Sequence, residues 1–391
     1  MTARRTSRSP RTPVAESTEA ALPTTAWKNA FRKSLRAWFD RERRDLPWRR
    51  SRDPYAVWVS EIMLQQTQVA TVIDYFNRFT AAFPTVAALA AADEHDVLRH
   101  WEGLGYYRRA RQMHRAAQVI VAEHGGKFPN DAATIRTLPG IGRYTAGAIA
   151  SIAFDLPEPI LEANTVRLFS RLAAFRGDPH AKPGQDYLWQ WAAALVPTRE
   201  PGLFNQALME LGALICTPRE PRCGQCPVAR LCPTFKLGLQ REIPRLKKPP
   251  KFEDVHEGAL IVRQRGTRNV LLVQRAEGQR WAGLWDFPRF TLAAEQPANI
   301  AAELQQHAHA ALGLKFVVGE RLYTLKYGVT RFRITLDAFA ATTGGGRLKP
   351  VGYAAAQWVP LDELPGYPLN VSARKLAQQL RDDETGLFAA Q

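Results

Sequence analysis

The sequence predicts a multidomain chain in which an all-α half is followed by an α+β half, and three observations carry that reading. Apolar side chains recur every three or four residues from Trp27 to about Phe235. Beyond His256 they alternate every second residue. A Pro- and Lys-rich stretch, Gln240 to His256, divides the two patterns and reads as an extended linker. The chain of 391 residues exceeds what one hydrophobic core usually organises, and 46% hydrophobic with 23% charged residues describes an ordinary globular protein.

Residues 1–24 are rich in Arg, Ser, Thr and Pro and carry few large apolar side chains, so they read as a disordered basic tail. Glu16, Glu19 and the prolines set this tail apart from a transit peptide. Residues 25–236 read as the helical domain, opening with Trp27, Phe31, Leu35 and Trp38 at spacings of three and four. Asp53 then fits an N-cap and Pro54 the first position of a helix carrying Trp58, Ile62, Val69, Val72 and Phe76 as its stripe. Glu61 falls at the edge of that stripe, where partial desolvation would raise a carboxyl pKa and suit it to acid chemistry.

Gln65, Gln66, Thr67 and Gln68 interrupt the same apolar helix with four polar side chains that need partners, and base edges or a DNA backbone would supply them. Leu138 to Gly142 reads as a turn between two helices, with Gly140 and Gly142 permitting the bend. N–H groups at the next helix start, with Arg143 beside them, suit a phosphate. A plain helical hairpin accounts for the same residues.

Residues 237–255 read as the linker and 256–391 as the α+β domain. GALIVRQ and NVLLVQR read as a hairpin turned at Arg265 to Arg268. Phe332, Ile334 and Leu336 alternate with Arg331, Arg333 and Thr335, and Ile300 to Leu312 reads as one helix on a mixed or antiparallel sheet.

Cys216, Cys223, Cys226 and Cys232 are the chain's four cysteines, at spacing Cys-x6-Cys-x2-Cys-x5-Cys. Four thiols on so little backbone suit a tetrahedral zinc site or an iron–sulfur cluster, and the spacing leaves those two open. Disulfides fit less well, since no signal peptide is evident at the start and two bridges would add little to a protein of this size. No apolar run approaches a membrane span. A formal net charge of +16 and a pI near 10.0 favour a polyanionic partner, of which nucleic acid is the commonest.

Five segments together resemble the helix-hairpin-helix DNA glycosylases, and within them the MutY-type adenine glycosylases: LPWR from Leu46, SEIMLQQTQV from Ser60, GLGYYRRAR from Gly103, LPGIGRYTAGAI from Leu138, and the cysteine spacing. The resemblance implies a structural [4Fe–4S] cluster on the four cysteines, with Arg219 and Arg222 in a DNA-facing loop. It also implies extrusion of adenine from the duplex, protonation of the departing base by Glu61, and stabilisation of the oxocarbenium-like sugar by a second carboxylate. Tyr144 and Asn164 match pocket residues. Gln65, Gln66, Leu104 and Tyr106 match residues that fill the vacated space and meet the opposing base. Thr67, Gly140, Gly142 and Arg143 belong to the same expected DNA surface.

Two positions depart from the family pattern. Glu162-Ala163-Asn164 stands for its usual Asp-Gly-Asn, moving the carboxylate one methylene outward. The C-terminal half resembles the Nudix-like domain that reads 8-oxoguanine, with GLWDFP from Gly283 as landmark, and Val329-Thr330-Arg331 stands for the family's Phe-Ser-His. Thr330 keeps the hydroxyl. Ala310 and Ala311 occupy the acidic places of a hydrolytic Nudix enzyme, so diphosphate hydrolysis is not expected.

The resemblance therefore implies a cytoplasmic, nucleoid-associated monomer acting on double-stranded DNA with A:8-oxoguanine or A:G mispairs, with no membrane partner. Tyr144 replaces the Schiff-base lysine of the endonuclease III branch, so base removal without strand cleavage is expected. A thymine-removing glycosylase of the same fold and a retired cluster-bearing DNA-binding protein are the alternatives.

Overall fold

The computed structural model describes residues 22–245, 251–293 and 297–388. The expected tail lies outside the described residues except for Leu22 to Thr24, as does the 246–250 portion of the expected linker. Along the chain run α1 (Thr25–Glu42), α2 (Pro54–Leu64), α3 (Val69–Ala82), α4 (Val86–Ala91), α5 (Glu94–Trp101), α6 (Arg108–His124), α7 (Ala132–Thr137), α8 (Arg143–Phe154), α9 (Ala163–Leu172), α10 (Lys182–Leu195), α11 (Pro201–Leu214) and α12 (Pro233–Lys236). There follow β1 (Glu253–Arg263), β2 (Asn269–Arg275), β3 (Trp285–Asp286), β4 (Arg289–Thr291), α13 (Pro297–Leu312), β5 (Leu314–Val329), β6 (Phe332–Gly346), β7 (Tyr353–Pro360) and α14 (Val371–Phe388). Among the described residues no helix is long and apolar enough to cross a membrane.

One compact unit takes the described residues of Met1–Asp45, Asn130–Arg136 and Gly142–Lys247. Thr24 caps α1 by accepting from the Trp27 N–H, and the predicted stripe turns inward, with Phe31 and Leu35 fully buried against α10 and α11 residues such as Leu188 and Leu211. Each such side chain contributes about 1.5–3 kcal/mol of burial. Trp27 stacks on Phe31 at 5.1 Å and meets Trp191 edge-on at 5.9 Å. α11 packs on α1, α8 and α9, and the core runs on to Cys216.

The second compact unit takes Leu46–Pro129, Thr137–Ile141 and the described residues of Lys248–Gln391. The sequence boundaries follow the change of hydrophobic period, whereas these units follow tertiary packing, which groups the early helices α2–α6 with the sheet. Within it α6 packs against α4 and α5, and α2 against α3. Arg374 at the start of α14 closes a bidentate ion pair on Glu102, both contacts at 2.7 Å, and donates to the carbonyls of Leu364 and Tyr367.

The sheet runs β3-β2-β1-β6-β5, with β4 also on β1 and β7 on β2. β1 and β6 are parallel, and the other pairs are antiparallel. The expected hairpin forms, and so does the helix α13, on a face lined by Leu260, Val262, Leu271 and Val273. The expectation of one covering helix needs correction, since α14 covers the opposite face through Ala373, Leu376, Ala377 and Leu380. Burial on both faces explains why β1 and β2 read as continuous apolar runs. Both ends of the stretch expected to be linker are ordered. Ile243 is buried with its carbonyl held by Arg171, and the ladder of β1 begins at Glu253.

Candidate active site and nucleic-acid interface

Asp53 caps α2 as expected, its carboxylate accepting from the N–H groups of Tyr55 and Ala56. The single long helix does not form. α2 ends at Leu64, Gln65 to Gln68 make a turn in which Gln66 has φ 58°, and α3 starts at Val69. The polar run is therefore a turn rather than an interruption, which relieves a helix interior of four polar side chains. Gln66 and Gln68 are exposed, Gln65 and Thr67 half-buried. Glu61 is not at a rim. α2 is buried on nearly every side from Tyr55 to Met63, and Glu61 is 5% exposed.

The loop after α5 carries two of the expected interface residues in contrasting states. Leu104 is buried and Tyr106 is 51% exposed at φ 49°. A non-glycine residue held left-handed and exposed is stored strain of about 1–3 kcal/mol, which the surrounding contacts must hold. Gln65, Gln66, Tyr106 and Gly140 line one cavity of about 360 Å³ together with Trp58, Ile62 and Gln112. Gly140, at φ 78°, brings its backbone so close to Gln112 that a Cβ would lie 2.7 Å from the glutamine Cβ.

Tyr106 also borders a second cavity, of about 960 Å³, which Thr330 lines as well. Thr330 and Arg331 form the two-residue turn between β5 and β6, and Thr330 holds φ 52° with its hydroxyl donating to the Val329 carbonyl. Arg108, Arg111, Arg115, Arg280, Lys326 and Lys375 line this cavity against one carboxylate, Glu277, which lies 3.5 Å from Arg111 and 3.6 Å from Arg115. That excess of cations suits an anionic backbone. The N–H groups of Lys349 and Val351 donate to the carbonyls of Leu312 and Ala311, laying a strap over the end of α13.

The remaining expected catalytic residues sit in the first unit. Glu162 is the N-cap of α9 in a capping box: its carboxylate accepts from the N–H groups of Asn164 and Thr165, and Thr165 Oγ1 accepts from the Glu162 N–H. Burial raises the Glu162 pKa, and the two N–H donors oppose that rise. Asn164 Oδ1 accepts from Arg167 Nη2 at 2.8 Å, and the same guanidinium donates to the carbonyls of Cys216 and Gly212. Gly212 is required by this approach, because a Cβ there would lie 2.7 Å from the Cβ of Asn164. Tyr144 on α8 points its hydroxyl at Met209 Sδ, 3.3 Å away. Gly142 caps α8, and Arg143 at its first turn is exposed with its guanidinium 3.8 Å over the Trp189 ring.

Cys216, Cys223, Cys226 and Cys232 line one enclosed cavity, and none is in a disulfide. Arg171 stitches the loop together, donating to Cys216 Sγ, Thr217 O, Pro218 O, Gln240 O and Ile243 O. Burial pushes the Cys226 thiol up to about 12 and raises Cys223 and Cys232 as well, so only a bound metal's charge would hold these sulfurs as thiolates at neutral pH. Among the described residues no three His, Cys, Asp or Glu side chains are drawn up as a metal-holding group. The donor set, four soft sulfurs around one cavity, nevertheless fits an iron–sulfur cluster.

Two family models match the chain: the HhH-GPD superfamily base excision DNA repair protein over residues 59–194 and the NUDIX domain over residues 258–379. The adenine DNA glycosylase of Rattus norvegicus is 34% identical over 407 residues, covering 91% of this chain and 79% of the rat protein. The chain belongs to the adenine DNA glycosylase family. The Homo sapiens adenine DNA glycosylase is likewise 34% identical, over 91% of this chain and 75% of its own length. That of Buchnera aphidicola from Schizaphis graminum is 37% identical over 63% and 71%. As an adenine DNA glycosylase relative, the chain is a base-excision enzyme that binds DNA, built from a helical HhH-GPD domain and a Nudix-like α/β domain.

Sequence reasoning singled out the residues at the surface of these sites and missed the arginines beneath them. Arg167 and Arg171 sit four apart on α9, 8% and 3% exposed, each holding carbonyls of distant segments. Two arginines at one-turn spacing within VRLFSRL, where only Ser170 besides them is polar, were the available signal.

Proposed function

We propose that this glycosylase removes adenine paired with 8-oxoguanine or guanine in double-stranded DNA, as a monomer and without cleaving the strand. The observation that carries this reading is the meeting of Tyr106 with Gln65, Gln66 and Gly140 at one cavity and with Thr330 at the next. Tyr106 and the glutamine turn fill the gap that the extruded adenine leaves, while Thr330 reaches the opposing base across the basic cavity. The phosphates bind where α8 begins, at Gly142 and Arg143, whose guanidinium stands over the Trp189 ring. Leu104 and Thr67 back these two loops.

In this reading Glu61 protonates the imidazole ring of the departing adenine, so that the base leaves neutral. Glu162 in its ionised form steadies the cationic sugar, its carboxylate aimed by the two N–H groups it caps. Asn164, held by Arg167, and Tyr144 take the roles of the family's pocket residues by resemblance. A phenol forms no Schiff base, so the abasic strand is left intact.

Cys216, Cys223, Cys226 and Cys232 would hold a [4Fe–4S] cluster, which when bound would fix the fold of the cysteine loop and take no part in base removal. The glycosylase domain spans 25–236, the linker 237–255 and the Nudix-like domain 256–391. Ala310 and Ala311 at the covered end of α13 leave the latter domain a reader rather than a hydrolase.

The test is a duplex panel containing A:8-oxoguanine, A:G and T:G, incubated with the enzyme and split into alkali-treated and untreated samples. The reading expects breaks at adenine in the first two duplexes after alkali only. Loss of thymine alone, loss of no base, or breaks without alkali would each overturn it. Iron and acid-labile sulfide in near-equal amounts, about four of each per chain, are expected of the purified protein.

A further inference from the structure

The two loops of the proposed wedge hang on one guanidinium. Arg109 Nη1 donates to the carbonyls of Ile62 at 2.7 Å, Met63 at 3.1 Å and Gln65 at 2.6 Å, closing the C-terminal end of α2. Its Nη2 faces the carbonyls of Leu104 at 3.4 Å and Gly105 at 3.2 Å, in the loop that presents Tyr106. The guanidinium carbon also stands 5.4 Å from the Trp101 ring centroid and 5.5 Å from that of Tyr106.

A cation at a helix C-terminus commonly caps the last carbonyls, and that accounts for the first set of bonds. It does not account for the second set, which lies in the loop leading into α6, so that one side chain joins its own lead-in loop to the end of α2, 44 residues earlier in sequence at Gln65. The planar fork turns one nitrogen to each segment, whereas an ammonium has three donors on a single nitrogen to set against five carbonyls. The two residues so placed, Gln66 at φ 58° and Tyr106 at φ 49°, are both held in left-handed backbone. Left-handed non-glycine residues persist only where their surroundings fix them. Trp101 shares the work, its Nε1 donating to Gly105 O at 3.2 Å.

We infer that Arg109 is a positioning residue for base extrusion: it fixes the Gln65–Gln66 turn and the Gly105–Tyr106 loop relative to each other, so that they enter the duplex as a single rigid wedge. This rests on the reading of those residues as the wedge. Arg109 touches neither the adenine nor the sugar in this scheme, so its loss acts before chemistry.

The experiment uses the full chain carrying Arg109→Lys, with Arg109→Gln as a second variant should the first not fold. Hydrogen exchange on the free protein reads the pin directly. Exchange of amides in residues 64–67 and 103–107 is expected to rise at least tenfold while the amides of α6 stay as in the wild type. With 2-aminopurine placed opposite 8-oxoguanine, the fluorescence rise that reports extrusion is expected to shrink. The single-turnover rate of adenine release should fall at least tenfold, with affinity for undamaged duplex within about twofold. Unchanged exchange in both loops overturns the pin. Loosened loops with normal extrusion and release overturn its role in positioning. Tyr106→Ala, run alongside, separates the underlying reading. If that variant extrudes and excises like the wild type, the wedge assignment itself is wrong, whatever Arg109 does.

Discussion

The carboxylate of Glu162 turns back onto its own helix, Oε2 accepting the Asn164 N–H at 2.8 Å while Oε1 accepts that of Thr165 at 2.9 Å. The extra methylene relative to aspartate is thus absorbed by curling over the first turn of α9, and the anion stays at the positive end of the helix. A charge so fixed needs no reorganisation when the sugar becomes cationic.

Glu162→Gln keeps the side-chain shape and one of the two cap acceptors and removes the charge, so single-turnover adenine release is expected to fall by about 10²–10³, with a loss of stability of about 1 kcal/mol from the weakened cap. Glu162→Asp is expected to retain most activity. The pH dependence follows from the raised pKa. The anion is lost on acidification at a higher pH than for a carboxyl at the ordinary 4.5, so the acid limb of the release rate lies above that value and disappears in Glu162→Gln. The stability effect has the opposite sense: relative to the unfolded chain the group favours the native state most when protonated, and that contribution is lost as pH rises through its raised pKa.

Arg167 links Asn164 to the cysteine loop by bonds of 2.8 Å to Asn164, 2.6 Å to the Cys216 carbonyl and 2.7 Å to the Gly212 carbonyl. Arg167→Met fills the same volume and strands all three acceptors. It is expected to destabilise the protein by about 3 kcal/mol, with iron content falling in the same preparations. Thermal unfolding and iron assay on matched samples check both.

Thr330 is a β-branched residue at φ 52° in a two-residue turn, a position where glycine rests without strain. Thr330→Gly is expected to stabilise the protein by about 1 kcal/mol while narrowing the preference for A:8-oxoguanine over A:G. Denaturant titration and paired rate measurements on the two duplexes test this exchange of strain for selectivity.

Arg374 and Glu102 are expected to couple by about 1–3 kcal/mol in a double-mutant cycle with alanine, since the pair is bidentate and largely buried. Urea unfolding of the four proteins measures it. An additive cycle would show that the carbonyls of Leu364 and Tyr367, rather than Glu102, hold Arg374 in place.

The fold was legible where local chemistry and burial agree. Asp53-Pro54 announces the start of α2, and the alternation around Ile334 announces β6, because cap and pleat are properties of a few adjacent residues. The end of α2 was not legible. Nothing local distinguishes a polar run inside a helix from a turn, and the deciding group, the guanidinium of Arg109, comes from α6. Glu61 was recognised through its motif but misplaced on its helix face, because helical periodicity cannot show that neighbours cover every side. The second covering helix, α14, was hidden for a related reason: its stripe from Ala373 to Leu380 lies near the chain end, amid many polar residues.

The most direct test of the account is adenine release by Glu61→Gln under single-turnover conditions on an A:8-oxoguanine duplex, with binding to the same duplex measured in parallel. The account predicts release reduced by at least about 10² with affinity preserved, since the side chain supplies a proton and no grip on the phosphates. Release at the wild-type rate from a folded, DNA-binding Glu61→Gln protein would contradict it.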